Sequence, residues 1–155
     1  MTGQRLRRAL VQGTAAAVLW GLVAAALSRL LMRAAVLVTD GEPGFSVVGT
    51  AGIAVAYVVV LLPGAIALAY SAHRWPWAVF GAGAVLLATQ AVNIGLQDLA
   101  AAPGLSTGRW ALLGLVLAAM AAVHAGHAVL VARWARRAAP RLVVPEEVSA
   151  APVPR

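Results

Sequence analysis

The chain has 155 residues, 62% hydrophobic and 11% charged. A soluble domain carries about 25% charged residues, so a water-soluble enzyme, a nucleic-acid-binding domain and a disordered chain are all excluded on composition. The formal net charge of +7 comes from arginine alone, because there is no lysine. The arginines stand at the ends of apolar runs, where they read as topology signals and not as a nucleic-acid surface.

Four apolar runs are each long enough to cross about 30 Å of hydrocarbon as a helix. They cover residues 9–28, 47–72, 77–97 and 110–132. The runs are continuous and not alternating, so helices are expected and not barrel strands. The first run starts behind Arg5, Arg7 and Arg8, and its sequence stays helical in character as far as Val38. It exceeds the roughly 7–15 apolar residues of a cleaved leader, and Ser28-Arg29 is a poor cleavage site, so it is read as a retained span.

Thr39-Asp40-Gly41-Glu42-Pro43-Gly44 breaks the chain after the first span. Within the second span, Pro63-Gly64 predicts a kink and a freed carbonyl. His73-Arg74-Trp75-Pro76-Trp77 forms a tight connection to the third span, with Pro76 tolerated near a helix start. Pro103-Gly104 separates the third and fourth spans, and Ser106 and Thr107 are candidate N-caps. The expected organisation is all-α: one domain of residues 1–139, four transmembrane helices in an antiparallel bundle of two hairpins, then a disordered cytoplasmic tail of residues 140–155.

Orientation follows from the arginines. With four spans both termini share a side, and that side holds Arg5, Arg7, Arg8, Arg74, Arg133, Arg136, Arg137 and Arg141. The other side holds Arg29, Arg33 and Arg109, with Asp40, Glu42 and Asp98. Arginine excess marks the cytoplasmic face, so both termini are expected inside. Trp75, Trp77, Trp110, Trp134 and Tyr70 fall near span ends, where amphipathic rings favour the interface; Trp20 lies mid-span as a bundle or lipid contact. The Arg-only, Ala-rich usage points to a GC-rich bacterial genome, and hence to the inner (plasma) membrane.

Packing signals are prominent. Gly114, Ala118, Ala122 and Gly126 recur every four residues along the fourth span, offering a face on which another backbone can approach closely. Gly49, Gly52 and Ala56 in the second span, and Gly81, Ala84 and Ala88 in the third, repeat the theme. The spacing leaves open whether such contacts lie within one chain or between chains.

Polar groups inside spans are costly and carry the functional leads. Gln90, Asn93 and Gln97 share one face of the third span and lead toward Asp98. With Arg29 and Arg33 at similar depth, they form a candidate site for a polar or anionic headgroup. The plainer reading is amides that glue helices together and arginines that snorkel. Met120, His124 and His127 share a face of the fourth span, and His73 ends the second. Histidines on two helices are a haem arrangement and a Met/His face a copper one, but no carboxylate is near to orient an imidazole and the depths match poorly. No cofactor is therefore expected. There is no cysteine, and no P-loop, dinucleotide-binding or zincin motif.

The expected function is non-enzymatic: a small integral membrane protein that packs as a homo-oligomer or as an accessory subunit of a larger complex, its partners being lipid and protein, with no nucleic acid. A small transporter or channel using the polar face of the third span is the alternative, and a haem or redox protein using the histidines is a second.

Overall fold

A computed structural model describes residues 2–42, 44, 46–101, 104–137 and 139. It contains four helices, α1 (Thr2–Val38), α2 (Val47–Tyr70), α3 (Trp75–Ala101) and α4 (Thr107–Arg137), and no strand among the described residues. Each helix is long and apolar enough to cross a membrane, as expected of a multi-pass membrane protein. The tail of residues 140–155 lies outside the described residues, as do Pro43 and Pro103.

The helices run past the apolar runs that define them. The 37 residues of α1 amount to about 55 Å at 1.5 Å per residue, well beyond the hydrocarbon thickness. Nothing between Ser28 and Val38 opposes a helix, because Arg, Leu, Met and Ala are all good helix formers. The helix stops at a Schellman turn. There the Gly41 N–H donates to the Val36 carbonyl at 2.9 Å, and the Asp40 N–H donates to the Leu37 carbonyl at 3.4 Å. Asp40 takes the left-handed conformation (φ 56°) that usually falls to glycine. At the start of α2 the Ser46 hydroxyl accepts from the Gly49 N–H at 3.1 Å. Ser106 serves α4 through its carbonyl, which accepts from the Trp110 N–H at 3.0 Å.

The bundle is a rhombus. α1 packs on α2 and α4, α2 also meets α3 and α4, and α1 and α3 do not touch among the described residues. α3 and α4, the second antiparallel hairpin, meet only lightly. α4 leans on α1 instead, and the bundle closes between its first and last helices.

The backbone approach that closes it comes from α1. Ala9, Gly13, Ala17, Gly21 and Ala25 recur every four residues, and all are buried. A Cβ on Gly13 would lie 2.6 Å from the Ile66 Cα, and one on Gly21 would lie 2.8 Å from a Val58 methyl. On the other flank of α2, a Cβ on Gly64 would stand 2.5 Å from the Phe80 Cα. Gly64, directly after Pro63, thus admits α3. Without a hydrophobic drive in lipid, such close packing supplies the attraction. Leu61, Leu68 and Val131 fill the core between these contacts.

Trp20 is a bundle contact. Its ring meets Trp134 edge-on at 6.2 Å, placing both in one layer toward the end that carries the start of α1 and the end of α4. The Arg136 guanidinium lies 5.4 Å over the Trp77 ring, and Arg137 lies 6.0 Å over Trp134. The Arg136 contact ties the end of α4 to the start of α3, while the Arg137 contact lies within α4 itself.

Candidate functional sites: a buried hydroxyl–imidazole chain and an outward amide face

Three helices bring one polar side chain each to a common depth. The Ser28 hydroxyl of α1 lies 2.6 Å from the Tyr57 hydroxyl of α2. That phenol lies 2.8 Å from His124 Nε2 of α4, and His124 Nδ1 lies 2.8 Å from the Met120 carbonyl. Ser28 and Tyr57 are both buried.

The direction of the chain follows from its last acceptor. The Met120 carbonyl can only accept, so Nδ1 carries the imidazole hydrogen and Nε2 is an acceptor. Tyr57 then donates to Nε2, which leaves its oxygen free to accept from Ser28. Every hydrogen in the chain has one acceptor. A polar group buried in apolar surroundings is costly unless it is paired, and here the pairing pins α1, α2 and α4 in register.

His127 lies one turn along α4, against the Tyr57 ring in an edge-on contact of 5.1 Å. Its Nε2 is buried without a hydrogen-bond partner, as is Trp20 Nε1. His124 and His127 thus flank Tyr57, but only His124 bonds to it. Met120 contributes its carbonyl and not its sulfur. His73 is exposed beyond the end of α2. From Tyr57 to the end of α2 at Tyr70 is already about 20 Å along the axis, so the structure does not bring His73 to the other two. Among the described residues no three His, Cys, Asp or Glu side chains cluster with metal-binding geometry.

His124 and Met120 also line a groove of about 500 Å³ between α3 and α4, walled by Ala84, Ala88, Gly95 and Ala121. It exists because α3 and α4 diverge. The buried residues of α3 are Pro76 and Phe80 near its start, so its later turns stand away from the bundle.

Gln90, Asn93 and Gln97 sit on those later turns, and all three are exposed. Measured from Trp77 at 1.5 Å per residue, they lie about 20, 24 and 30 Å along the helix. The first two are thus within hydrocarbon depth and the third is at its edge. Arg29 is half-buried on α1 and Arg33 exposed; among the described residues α1 and α3 are not neighbours, and no hydrogen bond joins Arg29 to Gln90, Asn93 or Gln97. Asp98 belongs to α3, and its side chain lies outside the described residues.

The four-residue ladder of α4 faces away from the bundle too. Gly114, Ala118 and Ala122 are exposed and Gly126 is half-buried; a Cβ on either glycine would meet nothing within 4 Å. The same is true of Gly52 and Gly81. Arg109 and Asp40, both assigned to one side by the sequence, form a two-pronged exposed ion pair whose second prong is 2.8 Å. It joins the start of α4 to the turn after α1.

Sequence reasoning missed Ser28 and Tyr57. The available signal was Tyr57 itself, since a tyrosine far from a span end needs a partner for its O–H. Comparison of the chain with protein-family models, with curated proteins and with solved structures finds no match.

Proposed function

We propose that this protein is a non-enzymatic integral membrane subunit that works by lateral association, with itself or within a larger membrane complex. The observation that supports this reading is the outward placement of the amides. Gln90 and Asn93 are exposed on α3 at a depth where lipid has no hydrogen bond to offer. Each amide hydrogen bond made to a neighbouring helix is worth about 0.6–2 kcal/mol, so these side chains favour a protein neighbour over lipid. The outward ladder of α4 offers a second surface for close backbone approach.

The proposed setting is the inner membrane of a bacterium with both termini cytoplasmic, on the strength of the arginine distribution. Reporter fusions at the two ends test this; a reporter active only outside the cytoplasm overturns it. A transporter or channel reading needs the amide face to line a path. That face points away from the other helices of its own chain, so the path would have to form between copies.

The test of association is purification from native membranes in a mild detergent. The expected particle is larger than one chain. Replacing Gln90, Asn93 and Gln97 together by leucine is expected to reduce it to a monomer with unchanged helix content. A wild-type particle that is a lone monomer, unaffected by these changes or by Gly114→Leu with Gly126→Leu, overturns the proposal.

A further inference from the structure

The outward face of α3 is a seam with a definite period. Val79, Gly83, Leu86, Gln90, Asn93, Gln97 and Ala100 follow one another at alternating steps of four and three. That average of about 3.5 residues is the repeat by which two helices keep one stripe in contact through a left-handed crossing. Val79, Leu86, Gln90, Asn93, Gln97 and Ala100 are exposed. Gly83 lies where the seam borders α2, and a Cβ there would stand 2.7 Å from the Val60 carbonyl. On the 100° helical wheel the seam is opposite the positions that line the α3–α4 groove.

The chemistry of the seam selects its occupant. A carboxamide is donor and acceptor at once, so a row of amides is its own complement. Two copies inserted the same way round are related by a two-fold axis along the membrane normal. That axis places α3 parallel to α3 and sets Gln90 against Gln90, Asn93 against Asn93 and Gln97 against Gln97. The seam positions carry no formal charge, so identical copies meet without the like-charge repulsion that rejects wrong partners. A polar residue in an otherwise apolar seam also fixes register and copy number. A foreign helix would need an amide row matched in both depth and spacing.

We propose that α3 forms a parallel two-fold seam with α3 of a second copy, its Gln90, Asn93 and Gln97 hydrogen-bonded across the axis and its Leu86 and Val79 packed toward the start of the helix. This rests on the reading of the protein as an assembling subunit and names its partner.

The natural chain has no cysteine, so single cysteines report without background. Leu86→Cys, Gln90→Cys, Asn93→Cys and Gln97→Cys are made singly, with Ala88→Cys and Val92→Cys as off-seam controls and Ala118→Cys for α4. Membranes are oxidised and covalent dimer is quantified. Seam positions are expected to exceed the controls at least tenfold. On the Leu86→Cys background, Asn93→Leu is expected to lower cross-linking several-fold and Asn93→Gln to restore it. The detergent-purified particle should contain two chains. Cross-linking that ignores the four–three period overturns the seam, and a particle of three or more chains overturns the two-fold. Cross-linking at Ala118 alone moves self-association to α4, overturning the seam but not assembly. A different protein at equal stoichiometry, with no cross-linking between copies, overturns self-pairing while the assembly reading stands. A lone monomer overturns both.

Discussion

Gly64→Ala adds a single methyl group where α3 rests on α2. The new Cβ would lie 2.5 Å from the Phe80 Cα and 2.9 Å from its N and Cβ. Carbon atoms sit best at about 3.5–4.0 Å, so the two helices must part by about 1 Å. Two of the three atoms are backbone, and no rotamer change of Phe80 moves them. Overpacking of this kind costs about 1–3 kcal/mol. Alanine returns about 0.8–1 kcal/mol of helix propensity over glycine, which leaves a net loss of about 0–2 kcal/mol. Gly95→Ala is the control, because its Cβ meets nothing within 4 Å and only the propensity gain remains. Gly13→Ala, with Ile66 Cα at 2.6 Å, belongs with Gly64→Ala. The assay is reversible unfolding in mixed micelles with rising SDS fraction, followed by circular dichroism. Equal midpoints for Gly64→Ala and Gly95→Ala would refute the reasoning, since the packing of α3 on α2 would then tolerate a methyl group that the geometry forbids.

Other outcomes follow from the polar contacts. Tyr57→Phe leaves His124 Nε2 without its donor and is expected to cost about 1–2 kcal/mol; His124→Phe should cost a similar amount, and the two changes together less than their sum. His127→Phe keeps the edge contact with Tyr57 and removes an unpartnered nitrogen, so no loss is expected; unfolding midpoints showing His127→Phe as damaging as His124→Phe would contradict the assigned chain. At the left-handed Asp40, Asp40→Ala is expected to be less stable than Asp40→Gly by about 1 kcal/mol, because both lose the ion pair but only alanine retains the conformational penalty; equal midpoints would remove that penalty from the account. Protein purified with added haem is expected to show no Soret band, since both His124 nitrogens are engaged and His73 stands apart; a band abolished by His124→Ala would reverse this.

The spans were legible because hydropathy is a property of each run alone. The pairing of runs was not. Ser28, Tyr57 and His124 are separated by 29 and 67 positions, and only the adjacency of α1, α2 and α4 brings them together. The expected meeting of Arg29 with Gln90 fails for the same reason, because α1 and α3 occupy opposite corners of the rhombus. The small-residue rule marked a stripe on α4 whose glycines meet nothing within the chain, because alanine abundance hides which stripe meets a neighbour. The stripe used inside the chain, from Ala9 to Ala25, obeys the same four-residue spacing. The helix of α1 outruns its apolar run to Val38, as the sequence character past Ser28 indicates, since arginine stops a hydropathy count without stopping a helix.

The closing of the bundle between α1 and α4 has a consequence for synthesis. Helices emerge in chain order, at roughly 5–20 residues per second, but they do not pack in that order. α1 and α2 can pair as soon as Tyr70 is made, whereas the remaining partner of α1 arrives only when α4 is complete at Arg137. For the intervening seconds the α1 surface that will receive α4 stays open to lipid. Ser28 and Tyr57 can already bond, but Tyr57 has no imidazole to receive its hydrogen. The nascent protein therefore passes through a three-helix stage with an unfinished polar centre, and a chain truncated before His124 carries that defect permanently. Such a truncated chain is defective in its interior, even though every remaining span is apolar enough to insert.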